Sequence, residues 1–444
     1  MLVFFSRLII MGIENFSFLA KKLPGFRLHG SQIRIIQEPS QFYQELLTRS
    51  ELSEERIVMS ALYWGTETRE KKLRDAVSAR LSSTPGLRVK ILLDWCRGSR
   101  MVRGESSVSL LQSLVDTGGG GRCRLSFYQT PQLRGPLNRV LPSKWNELIG
   151  LQHCKVYIFD DSVIVSGANL SQDYFTNRQD RYVLIENCRG LADYYEELID
   201  NVAEFSFTIN KSGIMEENSK YRGLSFKPFV KKVSDQIHQF ISSQQSINKI
   251  NFECSDREDT FIFPTVQMGL YNVNQDCEIT SDVLQAGANK SVFYFATGYF
   301  NLIERYMSNL IETSKTEFNI LMAHPQANGF LGARFPAGGI PHAYTLMASQ
   351  FLQRIRSAGL GDRIGMYEYR RRGWTFHGKG VWYCEEGGPL LTMVGSPNFG
   401  YRSEKRDLES QVCEVMVHNI KTNIIVYQGH HIDNQQRLAR QTEG

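Results

Sequence analysis

Apolar positions recur along this chain in two alternating rhythms. Residues 57–63 and 87–95 are short, nearly continuous apolar runs, the pattern of buried strands, whereas Leu73, Ala76, Val77, Arg80 and Leu81 between them keep helical spacing. Phe42, Leu46 and Leu47 mark one face of an earlier helix begun by Pro39-Ser40. Strand, helix, strand is the order of a sheet with helices on its faces. The second half repeats these events, with a strand at 291–297 closed by Gly298, a helix at 302–311 and a strand at 318–323. One more strand follows in each half, at 124–129 and at 364–369. The pattern predicts a duplicated α/β unit, not a short-period solenoid.

Each of these later strands leads to a similar polar motif. His153-Cys154-Lys155 runs on to Ser166-Gly167-Ala168-Asn169, and His377-Gly378-Lys379 runs on to Gly395-Ser396-Pro397-Asn398. The two histidines are 224 residues apart in a chain of 444, one in each half. The organisation expected is a leader or membrane-surface segment over 1–30, a first lobe over 31–205, a connection over 206–260, a second lobe over 261–420 and a tail over 421–444. The connection is polar around a helical segment near 230–240. The first thirty residues are apolar and basic, with Glu14 as the single acid, which is compatible with an organelle-targeting leader or a surface anchor.

Composition narrows the function classes. Apolar content of 42% and charged content of 22% are those of a folded protein, and 444 residues suffice for two cores. The net charge of +5 suits an anionic substrate or a membrane surface but falls short of the basic stripe of a dedicated nucleic-acid binder. The eight cysteines form no C-x-x-C pair and no cluster with histidine at zinc spacing, so reduced thiols and no metal site are expected. No apolar run reaches the 18 residues of a spanning helix.

The motifs carry the chemistry. On a strand, residues i and i+2 share a face, so His153 projects with Lys155 and His377 with Lys379. A lysine can neutralise a phosphate while the imidazole attacks phosphorus or moves a proton. A catalytic imidazole also needs a partner for its second nitrogen. Asp180, 27 residues after His153, and Glu409, 32 after His377, are the candidate orienting carboxylates, with Asp407 a competitor of Glu409. Asn169 and Asn398 offer amide donors, and Arg178, Arg181 and Arg402 offer guanidinium forks that match phosphate oxygens. Further arginines stand at 97, 100 and 103, and at 370 to 372 beside Trp374.

These residues resemble the phospholipase D superfamily, whose signature H-x-K-x4-D-x6-G-[SG]-x-N occurs twice per chain. His153, Lys155 and Asp160 match the first copy, with one residue fewer before Asn169; the second copy has Cys384, then Glu385 and Glu386, where the aspartate belongs. Longer segments, SGANLSQDYFTNRQDRY from Ser166, RGWTFHGKGVWY from Arg372 and GSPNFGYRSEKRDLE from Gly395, are similar to the eukaryotic mitochondrial enzymes that make phosphatidylglycerophosphate. The resemblance implies a duplicated α/β/α sandwich of two lobes about a pseudo-twofold axis, with one active site between them. It implies transfer of the phosphatidyl group of CDP-diacylglycerol to glycerol 3-phosphate through a phosphohistidine, in cardiolipin biosynthesis, with no cofactor. His153 would be the nucleophile and His377 the base, with Lys155, Lys379 and Asp160 completing the catalytic set. Peripheral association with the mitochondrial inner membrane is expected, and nucleic acid is not. The alternatives are another phosphodiesterase of the superfamily (a phospholipid hydrolase, a cardiolipin synthase or a nuclease) and a lipid-binding scaffold, suggested by Cys384.

Overall fold

In the computed structural model, which describes residues 14–119, 121–134, 149–252, 258–313, 315–331, 337–386 and 388–416, the apolar runs become the strands of two large sheets. The first sheet runs Met215–Glu217, Phe207–Ile209, Cys123–Tyr128, Arg88–Asp94, Arg56–Ser60, Val156–Phe159, Ser162–Ser166, Tyr182–Ile185, Ile33–Ile36. The second runs Phe26–Leu28, Thr260–Met268, Leu408–Met416, Gly388–Gly395, Gly380–Glu385, Val292–Thr297, Glu317–Ala323, Ile364–Tyr369. The duplication is visible strand by strand. Each half sets three parallel strands side by side and then continues antiparallel through the strand after the H-x-K motif. Each then reaches the half's own first long strand, Ile33–Ile36 at the edge of the first sheet or Thr260–Met268, which Phe26–Leu28 edges in the second.

Side-chain alternation divides the core into layers. Ile57 and Met59 face outward to the helices Pro39–Leu52, Thr68–Ser83 and Ser107–Thr117, while Val58 between them faces inward. In the second half Phe261 and Phe263 face the outer helices Gln275–Gln285, Glu304–Glu312 and Ile340–Ser357, while Ile262 faces inward. The inner faces of both sheets share one core with the helices Arg189–Glu204 and Phe226–Ile247. Burying these layers, at roughly 25 cal/mol per Å² of apolar surface, holds the halves together as one body.

Two sequence expectations change on contact with the fold. Residues 1–13 lie outside the described residues, but the rest of the stretch expected as a leader or surface segment is built into the second half. Phe16, Leu19 and Leu23 are buried in its core, and Phe26–Leu28 pairs antiparallel with Thr260–Met268. Apolar character near a chain start reads the same whether it serves a membrane or a core. The connection, for its part, is more than a linker. Phe207–Ile209 and Met215–Glu217 extend the first sheet, and its helix spans Phe226–Ile247. The C-terminal tail lies outside the described residues. Among the described residues no helix is long and apolar enough to cross a membrane.

Candidate active site

The two H-x-K motifs lie just ahead of strands, not on them, and each is stitched by backbone to the opposite half. Gln152 bridges in parallel to Leu408, and the N–H of His153 donates to the Leu408 carbonyl at 2.9 Å. In the other half Thr375–Phe376 pairs in parallel with Arg178–Gln179, and the N–H of His377 donates to the Gln179 carbonyl at 2.8 Å. Each histidine therefore arrives one residue short of the other half's carboxylate. Nδ1 of His153 stands 2.9 Å from Oε2 of Glu409, and Nδ1 of His377 stands 2.6 Å from Oδ2 of Asp180. Each carboxylate serves the histidine of the opposite half, not the one it follows in sequence.

Burial sets the protonation states. It pulls His153 well below the ordinary histidine range, with Lys155 adding to the effect, and pulls His377, beside Lys379, to about 3. Burial also lowers Lys155 to about 7 and depresses Lys379. Although burial pushes Asp180 up, Lys379 and His377 hold its carboxyl below the usual value, while Glu409 is raised by burial against the pull of Lys155. Asp180 is thus the anion, balanced by Lys379 at 3.9 Å, and His377 is neutral. A neutral imidazole that donates from Nδ1 to a carboxylate keeps its lone pair on Nε2, the form required of a nucleophile or base. The lysine ammoniums fold back onto their own motifs, Lys155 to the His153 carbonyl at 2.5 Å and Lys379 to that of His377 at 2.9 Å. Gly167 makes room for this: a Cβ there would lie 2.6 Å from Asp180 Oδ1 and 2.7 Å from Lys379 Nζ.

Both histidines line a single cavity of about 380 Å³, together with Asn169, Asn398, Arg97, Arg178 and Arg402. The surroundings of the two rings differ. Glu409 is braced by Ser403, whose hydroxyl donates to Oε1 at 2.8 Å, whereas the hydroxyl of Tyr174 lies 3.4 Å from both nitrogens of His377 and Lys379 Nζ lies 2.9 Å from its Nδ1. Ser403 and Tyr174 each stand five residues after the motif asparagine. The same alignment pairs Asp173 with Arg402 and Arg178 with Asp407. The ion pairs Arg178–Asp173, at 2.9 Å, and Arg402–Asp407, at 3.1 Å, are therefore equivalent by position and reversed in polarity. Asp407, the competitor of Glu409, is engaged by Arg402 and by the Leu151 N–H at 3.0 Å. Among the described residues no group of three or more His, Cys, Asp or Glu side chains is placed to hold a metal ion.

No family model matches the chain. It is 37% identical to the mitochondrial CDP-diacylglycerol–glycerol-3-phosphate 3-phosphatidyltransferase of Mus musculus, an alignment covering 91% of this chain and 78% of that protein. Against the Homo sapiens protein of the same name the identity is 38%, covering 91% and 77%. The chain belongs to the CDP-diacylglycerol–glycerol-3-phosphate 3-phosphatidyltransferase family. Among solved structures, the phosphatidylserine synthase of Haemophilus influenzae superposes with a TM-score of 0.73 at 20% identity, covering 96% of this chain and 92% of that one, and so shares the fold.

One member of the expected catalytic set is elsewhere. Asp160 occupies the turn between Val156–Phe159 and Ser162–Ser166 with φ of 50°. Its Oδ1 accepts the N–H groups of Glu55 at 2.8 Å and Arg56 at 3.0 Å, and its Oδ2 accepts that of Glu54 at 3.0 Å. The four strand residues Val156–Phe159 separate it from Lys155, five steps along the chain or about 17 Å, which carries it away from the cavity. Cys384 is its positional equivalent at the end of Gly380–Glu385, where the strand register shifts. The missing second aspartate therefore changes a turn and leaves the second histidine and lysine in place. Four tyrosines, Tyr63, Tyr174, Tyr299 and Tyr344, line the cavity, and of their place there the sequence offers only the five-residue step from Asn169 to Tyr174 as a signal.

Replacing Asp160 with Ala should cost roughly 1–3 kcal/mol in urea unfolding while the folded variant keeps its kcat/KM. Asp180→Asn, by contrast, should fold and lose about 10²- to 10⁴-fold in turnover. A turnover loss in folded Asp160→Ala equal to that of Asp180→Asn would return Asp160 to the catalytic set.

Proposed function

We propose that this chain transfers the phosphatidyl group of CDP-diacylglycerol to glycerol 3-phosphate, releasing CMP and forming phosphatidylglycerophosphate, as a mitochondrial enzyme associated with the inner membrane on the route to cardiolipin. The observation that carries the reading is the pair of neutral, buried imidazoles, each held by a carboxylate from the other half, in one arginine-lined cavity of a chain from this family.

Nε2 of His153 attacks the phosphatidyl phosphorus, the bond to the CMP oxygen breaks, and CMP leaves as an anion that needs little protonation. Glu409 supports the positive charge that the phosphorylated imidazole acquires, and Lys155 and Lys379 hold the non-bridging oxygens. His377 then takes the proton of the glycerol hydroxyl, which attacks phosphorus as the N–P bond breaks and frees His153. Ser403 behind Glu409 favours His153 as the nucleophile, while the crowding of His377 by Lys379 and Tyr174 suits a proton carrier.

Arg178 is the cation best placed for the acceptor's phosphate. Its Nε donates to Thr375 Oγ1 at 3.0 Å, two residues before His377, and its guanidinium lies 4.8 Å over the ring of Tyr174, whose hydroxyl touches His377. An acceptor hydroxyl at His377 leaves the phosphate of the same small molecule within reach of this fork.

The ping-pong order is tested by exchange. Wild-type protein should exchange labelled CMP into CDP-diacylglycerol without acceptor. His153→Ala should lose exchange and synthesis together, and His377→Ala should lose synthesis more severely than exchange. Exchange surviving in His153→Ala but not in His377→Ala would reverse the two roles, and acceptor-independent release of phosphatidic acid at the rate of synthesis would make the protein a hydrolase.

The pH profile of kcat/KM for CDP-diacylglycerol should have its basic limb near pH 7, because Lys155, lowered to about 7 by burial, loses its charge as pH rises. An acid limb at the ordinary histidine value of about 6.5 should be absent, since burial keeps both rings neutral well below it.

Arg178→Gln should cut the preference for glycerol 3-phosphate over glycerol by at least about tenfold, the scale of one charge-assisted contact. Arg402→Gln should leave that ratio unchanged. An Arg178→Gln enzyme with the wild-type ratio would place the acceptor phosphate elsewhere.

A further inference from the structure

The parallel strands of each half all end on one edge of their sheet, and the segments leaving those ends supply both the cavity and a set of exposed apolar side chains. After Arg88–Asp94 the chain passes through Arg97, which lines the cavity, to Met101 and Val102, the former 62% exposed. After Glu317–Ala323 it passes through cavity-lining Phe330 to exposed Leu331. The helix Ile340–Ser357 turns Tyr344 to the cavity and leaves Leu346, 60% exposed, and Met347 on an outward stripe with Ala343 at helical spacing. Tyr401, 57% exposed, stands between Gly400 and Arg402, both of which line the cavity. Soluble surfaces carry such residues singly; here segments from both halves carry them within a few residues of side chains that line one cavity.

Cations accompany them. The stretch from Arg97 to Arg103 holds three arginines and no acid. Exposed Arg370 and Arg372 leave the end of Ile364–Tyr369, next to a loop that Asn177 Nδ2 holds through the Gly373 carbonyl at 2.7 Å, one residue from Arg178.

We infer that this rim is a docking surface for an anionic phospholipid bilayer. Apolar side chains seated at the headgroup boundary and arginines paired with lipid phosphates would hold the cavity mouth against the membrane, so that a diacyl substrate reaches His153 without leaving the interface. The inference rests on the phosphatidyl-transfer reading of the cavity and adds the surface through which the lipid is delivered.

Flotation of the full chain with phosphatidylcholine vesicles, with and without phosphatidylglycerol, tests it. Wild-type protein should float with the anionic vesicles and be released by salt. The double variants Leu346→Glu/Met347→Glu and Met101→Glu/Val102→Glu should each bind at least about tenfold more weakly. Both should keep the wild-type melting temperature and the wild-type turnover on CDP-diacylglycerol dispersed in detergent micelles. Leu52→Glu/Ile247→Glu, which alters equally exposed apolar residues away from the cavity, should float as wild type does. Binding that survives in both rim variants, that is lost equally in the control, or that is absent from wild type overturns the proposal, as does a rim whose substitution abolishes self-association instead. Rim-dependent flotation by a chain that transfers no phosphatidyl group would keep the docking surface and sink the catalytic reading.

Discussion

Two buried carboxylates, each hydrogen-bonded to a histidine of the opposite half, hold this molecule to its architecture. Asp180 and Glu409 have fully buried side chains, and an ionised carboxylate taken out of water without a partner costs several kcal/mol. Hydrogen bonds and charge come from across the interface: His377 and Lys379 for Asp180, and His153 with the charge of Lys155 for Glu409. Parting the halves would strand both acids at once. The backbone bridges at Gln152–Leu408 and Thr375–Arg178 fix each histidine beside its acid, so the geometry of the chemistry and the integrity of the interface are one constraint.

Duplication supplied two similar halves, and a few substitutions made them unlike. A symmetric site with two equal imidazoles has no reason to assign one ring to phosphorus and the other to a proton. Placing Ser403 where the other half has Tyr174 braces one acid and crowds one ring. Reversing the polarity of the 173–178 and 402–407 ion pairs puts one guanidinium beside each histidine at different positions along the chain.

Much of this was legible in the residues. The apolar runs located the parallel strands at 56–60, 88–94, 123–128, 292–297, 317–323 and 364–369 to within a few residues, because strands in the middle of a helix-covered sheet are mostly apolar, even where burial alternates as in Glu317–Ala323. The H-x-K motifs and both orienting acids were identifiable because buried polar residues interrupt that signature. The exchange of acids between halves was not legible. It depends on a two-residue parallel pairing, Thr375–Phe376 with Arg178–Gln179, and a single bridge, Gln152 with Leu408, both too short to leave any periodicity. Asp160 misled for a related reason: a motif records co-occurrence along the chain, and a strand separates in space what the motif sets close in sequence. Residues 16–28 misled because hydrophobicity does not name its partner.

That opening segment also bears on how the chain is made. Phe26–Leu28 forms the outer edge of the second sheet, opposite a strand that begins at Thr260, and the preceding helix packs into the same distant core. On a ribosome adding about 5–20 residues per second, this segment would wait tens of seconds for the surface that covers it. The first half can assemble its sheet in that interval, but it would carry an unburied apolar leading end throughout. A segment made before the first half's sheet is thus among the last to be covered, and the second half closes on it instead of folding as a separate bead on a string.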